Sequence, residues 1–133
     1  MRASRASEEA LQIFRDLAQK NPEAYLPDVA TTLSNLGVLS RDQDRMEEAQ
    51  QELDESLQIR RELVKKNQEA YLPDVAEALN NIGVFYRKQN RTNEAKLAYE
   101  EALQIYEVIA KQDPQRFSTD VSRVKNLLKE VPR

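Results

Sequence analysis

The sequence predicts an all-α fold, a right-handed α-solenoid of antiparallel helix pairs with about six helices. Nearly the same passage occurs twice, as NPEAYLPDVA at 21–30 and NQEAYLPDVA at 67–76, a spacing of 46 residues. Only two glycines occur in the chain, whereas sheets with tight turns need more. Self-similarity at a period of about 20–50 residues is typical of a solenoid, in which each unit buries its apolar face on its neighbours.

Each helix is predicted from an apolar stripe. Val29, Leu33 and Leu36 recur every three or four positions, which is the spacing of one helix face, and the same stripe returns one period later. Strand-like alternation is absent from these stretches. The predicted helices are 4–20, 27–42, 46–66, 73–88, 92–112 and 118–130.

Proline is predicted to mark the start of two of these helices. Pro27 and Pro73 fit the first helical position, where a missing N–H costs nothing. Asp28 and Asp74 would then lie in the first turn, where a negative charge faces the positive helix end. The repeated passage is therefore interpreted as a joint between helices, with the Tyr-Leu pair before each proline folded back over the groove end.

The chain is predicted to be a single domain over 1–133. It would comprise a lone N-terminal helix at 4–20, a first repeat at 27–66, a second at 73–112 and a C-terminal capping helix at 118–130. A third, more divergent copy of the repeat follows the second. In this copy Lys125 and Lys129 stand where the earlier copies have apolar or small residues, as a cap requires. At the N-terminus two interpretations stay open, a capping half-unit or a piece of a longer array.

Composition excludes several classes of function. The net charge is -3 and the isoelectric point about 5.2, so nothing favours nucleic acid or an anionic membrane as a partner. Cysteine and histidine are both absent, which removes the commonest nucleophile, general base and metal ligand. We therefore expect no enzyme activity, no cofactor and no metal. No apolar run approaches the ~18 residues that span a bilayer, and no secretory signal is evident, so the expected location is the cytoplasm.

The repeated residues resemble a known family, the tetratricopeptide repeat (TPR), and most closely its long-repeat branch that includes kinesin light chain. In the first copy the resemblance rests on Leu33, Leu36, Gly37, Ala49, Leu53 and Ser56. In the second copy it rests on Leu79, Ile82, Gly83, Tyr86, Ala95, Tyr99 and Ala102. The period exceeds the family's usual value of about 34 residues. The resemblance implies that Gly37 and Gly83 let the second helix of each pair lie close over the first.

The resemblance also implies a site. In this family the first helices of successive repeats line a concave groove that takes an extended peptide. The candidate peptide-binding residues in this chain are Asn35, Val38, Arg41, Asn80, Asn81, Val84, Arg87, Lys88 and Arg123. The residues of the family's carboxylate clamp are missing, because neither a lysine near Ser34 nor an asparagine near Val38 is present.

The chemistry of the candidate residues points to an acidic peptide. Asn35 and Asn81 occupy equivalent places, and a primary amide can hold a peptide backbone because it both donates and accepts. The alternative is that these amides bond neighbouring helices. Positive charge on one side of the groove would favour carboxylates, and it would come from Arg41, Arg87, Lys88 and Arg123. The alternative is a charged face that is only solvated.

The predicted function is therefore a protein–protein interaction module that binds a peptide segment of a partner. The alternative is a structural unit that associates with copies of itself through open solenoid ends. That alternative rests on the apolar face of the N-terminal helix, which includes Ile13, Phe14 and Leu17. A fragment of a longer repeat array is the third interpretation.

Overall fold

Six α-helices make up the chain in the computed structural model, which describes residues 2–132, with side chains from residue 5 onward. The helices are α1 (Arg2–Lys20), α2 (Pro22–Asp42), α3 (Met46–Lys66), α4 (Gln68–Lys88), α5 (Thr92–Gln112) and α6 (Pro114–Glu130). No strand occurs within 2–132. The predicted all-α class is confirmed. Residues 1 and 133, the ends of the predicted domain, lie outside the described residues.

The chain divides into two compact units, Met1–Leu63 and Val64–Arg133. The first unit holds α1, α2 and most of α3, and the second holds α4, α5 and α6.

In the first unit, α2 and α3 form an antiparallel pair. Near the middle of α3, the hydroxyl of Ser56 donates to the carbonyl of Ala30 in α2. Ser40, ten residues further along α2, donates to Glu52, which lies earlier in α3, so the two helices run in opposite directions. The pair is close at Gly37, since a Cβ added there would lie 2.6 Å from Cγ of Leu53. The helix α1 packs on the start of α2 through a cluster built around Ala18, Val29 and Leu33.

In the second unit, α5 packs against both α4 and α6. A Cβ added at Gly83 would lie 2.5 Å from Cε1 of Tyr99, which is fully buried. The other large buried side chains include Phe85 on α4 and Val124 on α6. The predicted close helix crossings at Gly37 and Gly83 are confirmed by these contacts.

Short turns without glycine join the helices of each pair. Asp44 and Asn90, one period apart, adopt a left-handed conformation with φ of 61°. Aspartate and asparagine enter this region more readily than other non-glycine residues. The amides of Arg45 and Arg91, one residue later, bond back to Ser40 and to Tyr86 and so satisfy a carbonyl at the helix end.

The predicted helix starts at 27, 73 and 118 are wrong. The helices begin after Asn21, Asn67 and Asp113, whose side chains accept hydrogen bonds from backbone amides three residues later. Pro27 and Pro73 lie inside α2 and α4, where each removes one backbone hydrogen bond. The capping bonds offset this loss, and in the first unit the packing of the preceding turn adds to them.

The Tyr-Leu pair before each proline is also helical rather than folded back. In α2, Tyr25 and Leu26 pack on the cluster of Ala18, Val29 and Leu33. The first-turn acids are Glu23 and Glu69, not the aspartates that follow the prolines.

Candidate functional site

On α2, three predicted site residues lie one turn apart. Asn35 is exposed, while Val38 and Arg41 are half-buried. Arg41 is the most enclosed of the charged candidates, with its side chain 13% exposed. Its Nε donates to Oδ1 of the neighbouring Asp42 at 3.2 Å.

On α4, the helical spacing brings Asn81, Val84 and Lys88 onto one face, with Arg87 beside them. Asn81 and Val84 are half-buried, and the two basic side chains are exposed. The face therefore runs from a polar amide through an apolar patch to two adjacent positive charges at the end of the helix.

Arg87 also contacts α6. Its Nη1 lies 3.2 Å from Oε2 of Glu130, and the two side chains are 43% and 56% exposed. The sequence did not predict this contact. A signal for it exists in the repeat, because Glu130 stands where α2 and α4 carry Val38 and Val84.

Arg123 lies elsewhere on α6. Its Nη2 donates to Oδ1 of Asp120 at 2.7 Å, one turn earlier on the same helix. Both residues influence Tyr106 of α5. Burial raises the pKa of Tyr106 to about 12, the charge of Asp120 adds to the rise, and Arg123 opposes it.

The three basic candidates of the second unit therefore do not form one cluster. Arg87 and Lys88 are adjacent in α4, and Arg87 contacts Glu130 of α6. Arg123 lies seven positions before Glu130, or about 10 Å away along α6.

Asn80 differs from its neighbour Asn81 in its surroundings. Its Oδ1 is buried and has no hydrogen-bond partner among the described residues. In the first unit the equivalent residue is Ser34, whose hydroxyl lies 2.7 Å from that of Ser56 in α3. The position equivalent to Ser56 in α5 is Ala102, which offers no hydroxyl.

The nine predicted site residues are thus divided between the units. Asn35, Val38 and Arg41 belong to the first unit, and the other six belong to the second. Within the second unit, the structure brings together Asn81, Val84, Arg87 and Lys88.

Other kinds of site find little support in the part of the chain that the structure describes. No group of three or more acidic, histidine or cysteine side chains there is arranged to hold a metal ion. None of the helices described is long and apolar enough to cross a membrane.

Comparison with known proteins places this geometry in context. The chain is similar to the solved structure of BtubC (BKLC) from P. vanneervenii, with a TM-score of 0.72 and 22% sequence identity. The match covers 98% of this chain and 48% of that chain, so this chain spans about half the length of the protein it matches. At this identity the likeness shows the fold alone. None of the curated proteins matches the chain.

The sequence model of one family matches residues 28–107, more than half of the chain, and that family is the tetratricopeptide repeat. The match includes both close helix crossings, at Gly37 and at Gly83. The resemblance stated from the sequence is confirmed, and the chain belongs to the tetratricopeptide repeat family.

Proposed function

We propose that the chain is a non-catalytic interaction module that binds an extended, acidic segment of a partner protein. The observation that carries this proposal is the α4 face, where Asn81 and Val84 lead to the adjacent charges of Arg87 and Lys88. Membership of a family of protein-interaction repeats supports the general class of function.

Each part of the face has a suitable chemical role. The amide of Asn81 can donate to a peptide carbonyl and accept from a peptide N–H, which holds a backbone whatever its sequence. Val84 offers an apolar contact. Arg87 can bind a carboxylate through two parallel hydrogen bonds, and Lys88 adds a second positive charge.

The α2 residues offer the same kind of recognition within the first unit. Asn35 and Val38 repeat the order of amide and apolar side chain one period earlier. Arg41 is more enclosed and bonded to Asp42, so we expect it to contribute less charge preference than Arg87.

The remaining two candidates are expected to contribute less. The oxygen of Asn80 is inaccessible, and Arg123 is paired with Asp120 away from the basic end of α4.

Selection from a library of short random peptides tests the proposal. We expect wild type to enrich peptides that contain acidic residues, and a variant with Arg87→Glu and Lys88→Glu to lose that enrichment. A matched control, Lys111→Glu, makes the same kind of charge change at an exposed position in the last turn of α5. Selection of no peptide by wild type, or equal acidic enrichment by wild type and the α4 variant, contradicts the proposal.

The second candidate function is self-association through α1, and a specific observation favours it. Ile13 and Leu17 are 58% and 38% exposed. The residues at the position of Leu17 in the two later repeats are Leu63 and Ile109, and these are only 4% and 8% exposed. A second copy covering this face would give a mass that rises with concentration, and Leu17→Glu would abolish the rise. Leu97→Glu is the control, because Leu97 is 67% exposed on α5. A mass independent of concentration contradicts this candidate.

A further inference from the structure

The two equivalent arginines of α2 and α4 obtain their carboxylate partners in different ways. Arg41 bonds to Asp42, its neighbour in the same helix, at 3.2 Å. The residue that follows Arg87 is Lys88, so this source of negative charge has been replaced by a positive one. Arg87 instead has its carboxylate from a different helix, at the end of α6.

The residue that supplies this carboxylate departs from the repeat. Val38 and Val84 hold the equivalent positions on α2 and α4, and both are half-buried. On α6 the position is Glu130, which reaches the guanidinium of Arg87 with an Oε2–Nη1 distance of 3.2 Å. A carboxylate thus already lies where the proposed function requires the carboxylate of a partner.

This ion pair is suited to displacement. The side chains of Arg87 and Glu130 are 43% and 56% exposed, so both remain hydrated in part. Exposed ion pairs contribute little to stability, because water and salt screen the attraction and both side chains lose freedom. An incoming carboxylate can therefore replace that of Glu130 without unfolding any part of α6.

From this geometry we propose that Glu130 is an internal competitor for acidic partners: its carboxylate occupies Arg87 and must be displaced when an acidic residue binds. The inference rests on the proposed function, in which Arg87 binds acidic segments. It adds that the affinity of the face is set by a residue of the same chain. Segments with one carboxylate bind less tightly for this reason, and segments with several carboxylates displace Glu130 more readily.

A double-mutant cycle with a defined probe tests the inference. The probe is a hexaglutamate peptide with blocked termini, titrated by calorimetry or fluorescence against the full chain. Because an exposed pair is worth about 1 kcal/mol at most, removal of the competitor should tighten binding by up to about five-fold. We expect Glu130→Gln to bind the probe more tightly than wild type does. In the Arg87→Gln background, adding Glu130→Gln should give no gain over Arg87→Gln alone.

The control is Asp120→Asn, which removes a negative charge from the same helix but one that is paired with Arg123. Equal gains from Asp120→Asn and Glu130→Gln would reduce the effect to net charge and overturn the inference. Equal Kd values for wild type and Glu130→Gln also overturn it, while the proposed function stands. Absence of binding by both proteins contradicts the proposed function itself.

Discussion

Replacing Gly83 with alanine tests the close crossing of α4 and α5. The added Cβ would lie 2.5 Å from Cε1, 2.7 Å from Cδ1 and 3.0 Å from Cζ of Tyr99. Carbon atoms prefer about 3.5–4.0 Å, so the ring must move by roughly 1 Å. Tyr99 is fully buried and cannot swing into solvent. Overpacking of this kind costs ~1–3 kcal/mol, against a helix-propensity gain of ~0.5–1 kcal/mol for alanine.

We therefore expect Gly83→Ala to lower the free energy of unfolding by about 1–2 kcal/mol and Gly83→Leu to lower it further. Urea unfolding followed by circular dichroism measures the change. Tyr99→Val removes the three ring atoms in question, so in that background Gly83→Ala should be neutral or stabilising. If Gly83→Ala instead stabilises the wild-type chain by its helix-propensity gain, the close crossing is not present in solution.

Three further predictions concern the second unit. Leu79→Ala should cost ~2–5 kcal/mol of stability because Leu79 is 4% exposed, whereas Lys125→Ala, at an exposed position, should leave the melting temperature unchanged. Ala102→Ser should raise the unfolding free energy by ~0.5–1.5 kcal/mol in urea titrations, because the equivalent hydroxyls of Ser34 and Ser56 lie 2.7 Å apart and a serine at 102 would face the buried oxygen of Asn80 in the same way. Tyr106 loses its proton more readily when the chain is unfolded, so its contribution to stability is present below pH ~10 and is lost towards pH ~12. The melting temperature of wild type should therefore fall between these pH values. Tyr106→Phe should abolish the part of this fall that comes from Tyr106.

The bounds of α3 and α5, the second helices of the two pairs, were predictable because their start and end signals agree with their apolar stripes. Residues 46–66 and 92–112 match α3 and α5 as observed. The same stripes placed Gly37 and Gly83 inside helices, and the resemblance to the tetratricopeptide repeat implied their role at the helix crossings.

The starts of α2 and α4 were missed because Pro27 and Pro73, which lie inside these helices, were taken to mark their first positions. Proline is favoured at the first helical position, and Pro27 and Pro73 were interpreted in that way. A competing signal was present at the same period, in Asn21, Asn67 and Asp113, which cap the helices. Local capping together with the packing of Tyr25 outweighs the hydrogen bond that an internal proline removes.

The ion pair between Arg87 and Glu130 depends on how α4 and α6 lie beside each other, which periodicity within one helix does not specify. The chain separates the two residues by more than forty positions. Only the departure from valine at position 130 marked the site in the sequence. The burial of the side-chain oxygen of Asn80 was equally hidden, because adjacent residues on a helix face different surroundings.

Titration of one library-selected acidic peptide tests the central claim, that the α4 face binds acidic segments, most directly. We expect Arg87→Glu to weaken binding at low salt and to reduce or reverse its salt dependence, because salt screens an attraction in wild type and a repulsion in the variant. Asn81→Ala should weaken all selected peptides alike, since a backbone contact carries no sequence information. The control Lys111→Glu should bind as wild type does at both salt concentrations. Equal Kd values for wild type, Arg87→Glu and Asn81→Ala would contradict the account and exclude the α4 face as the site.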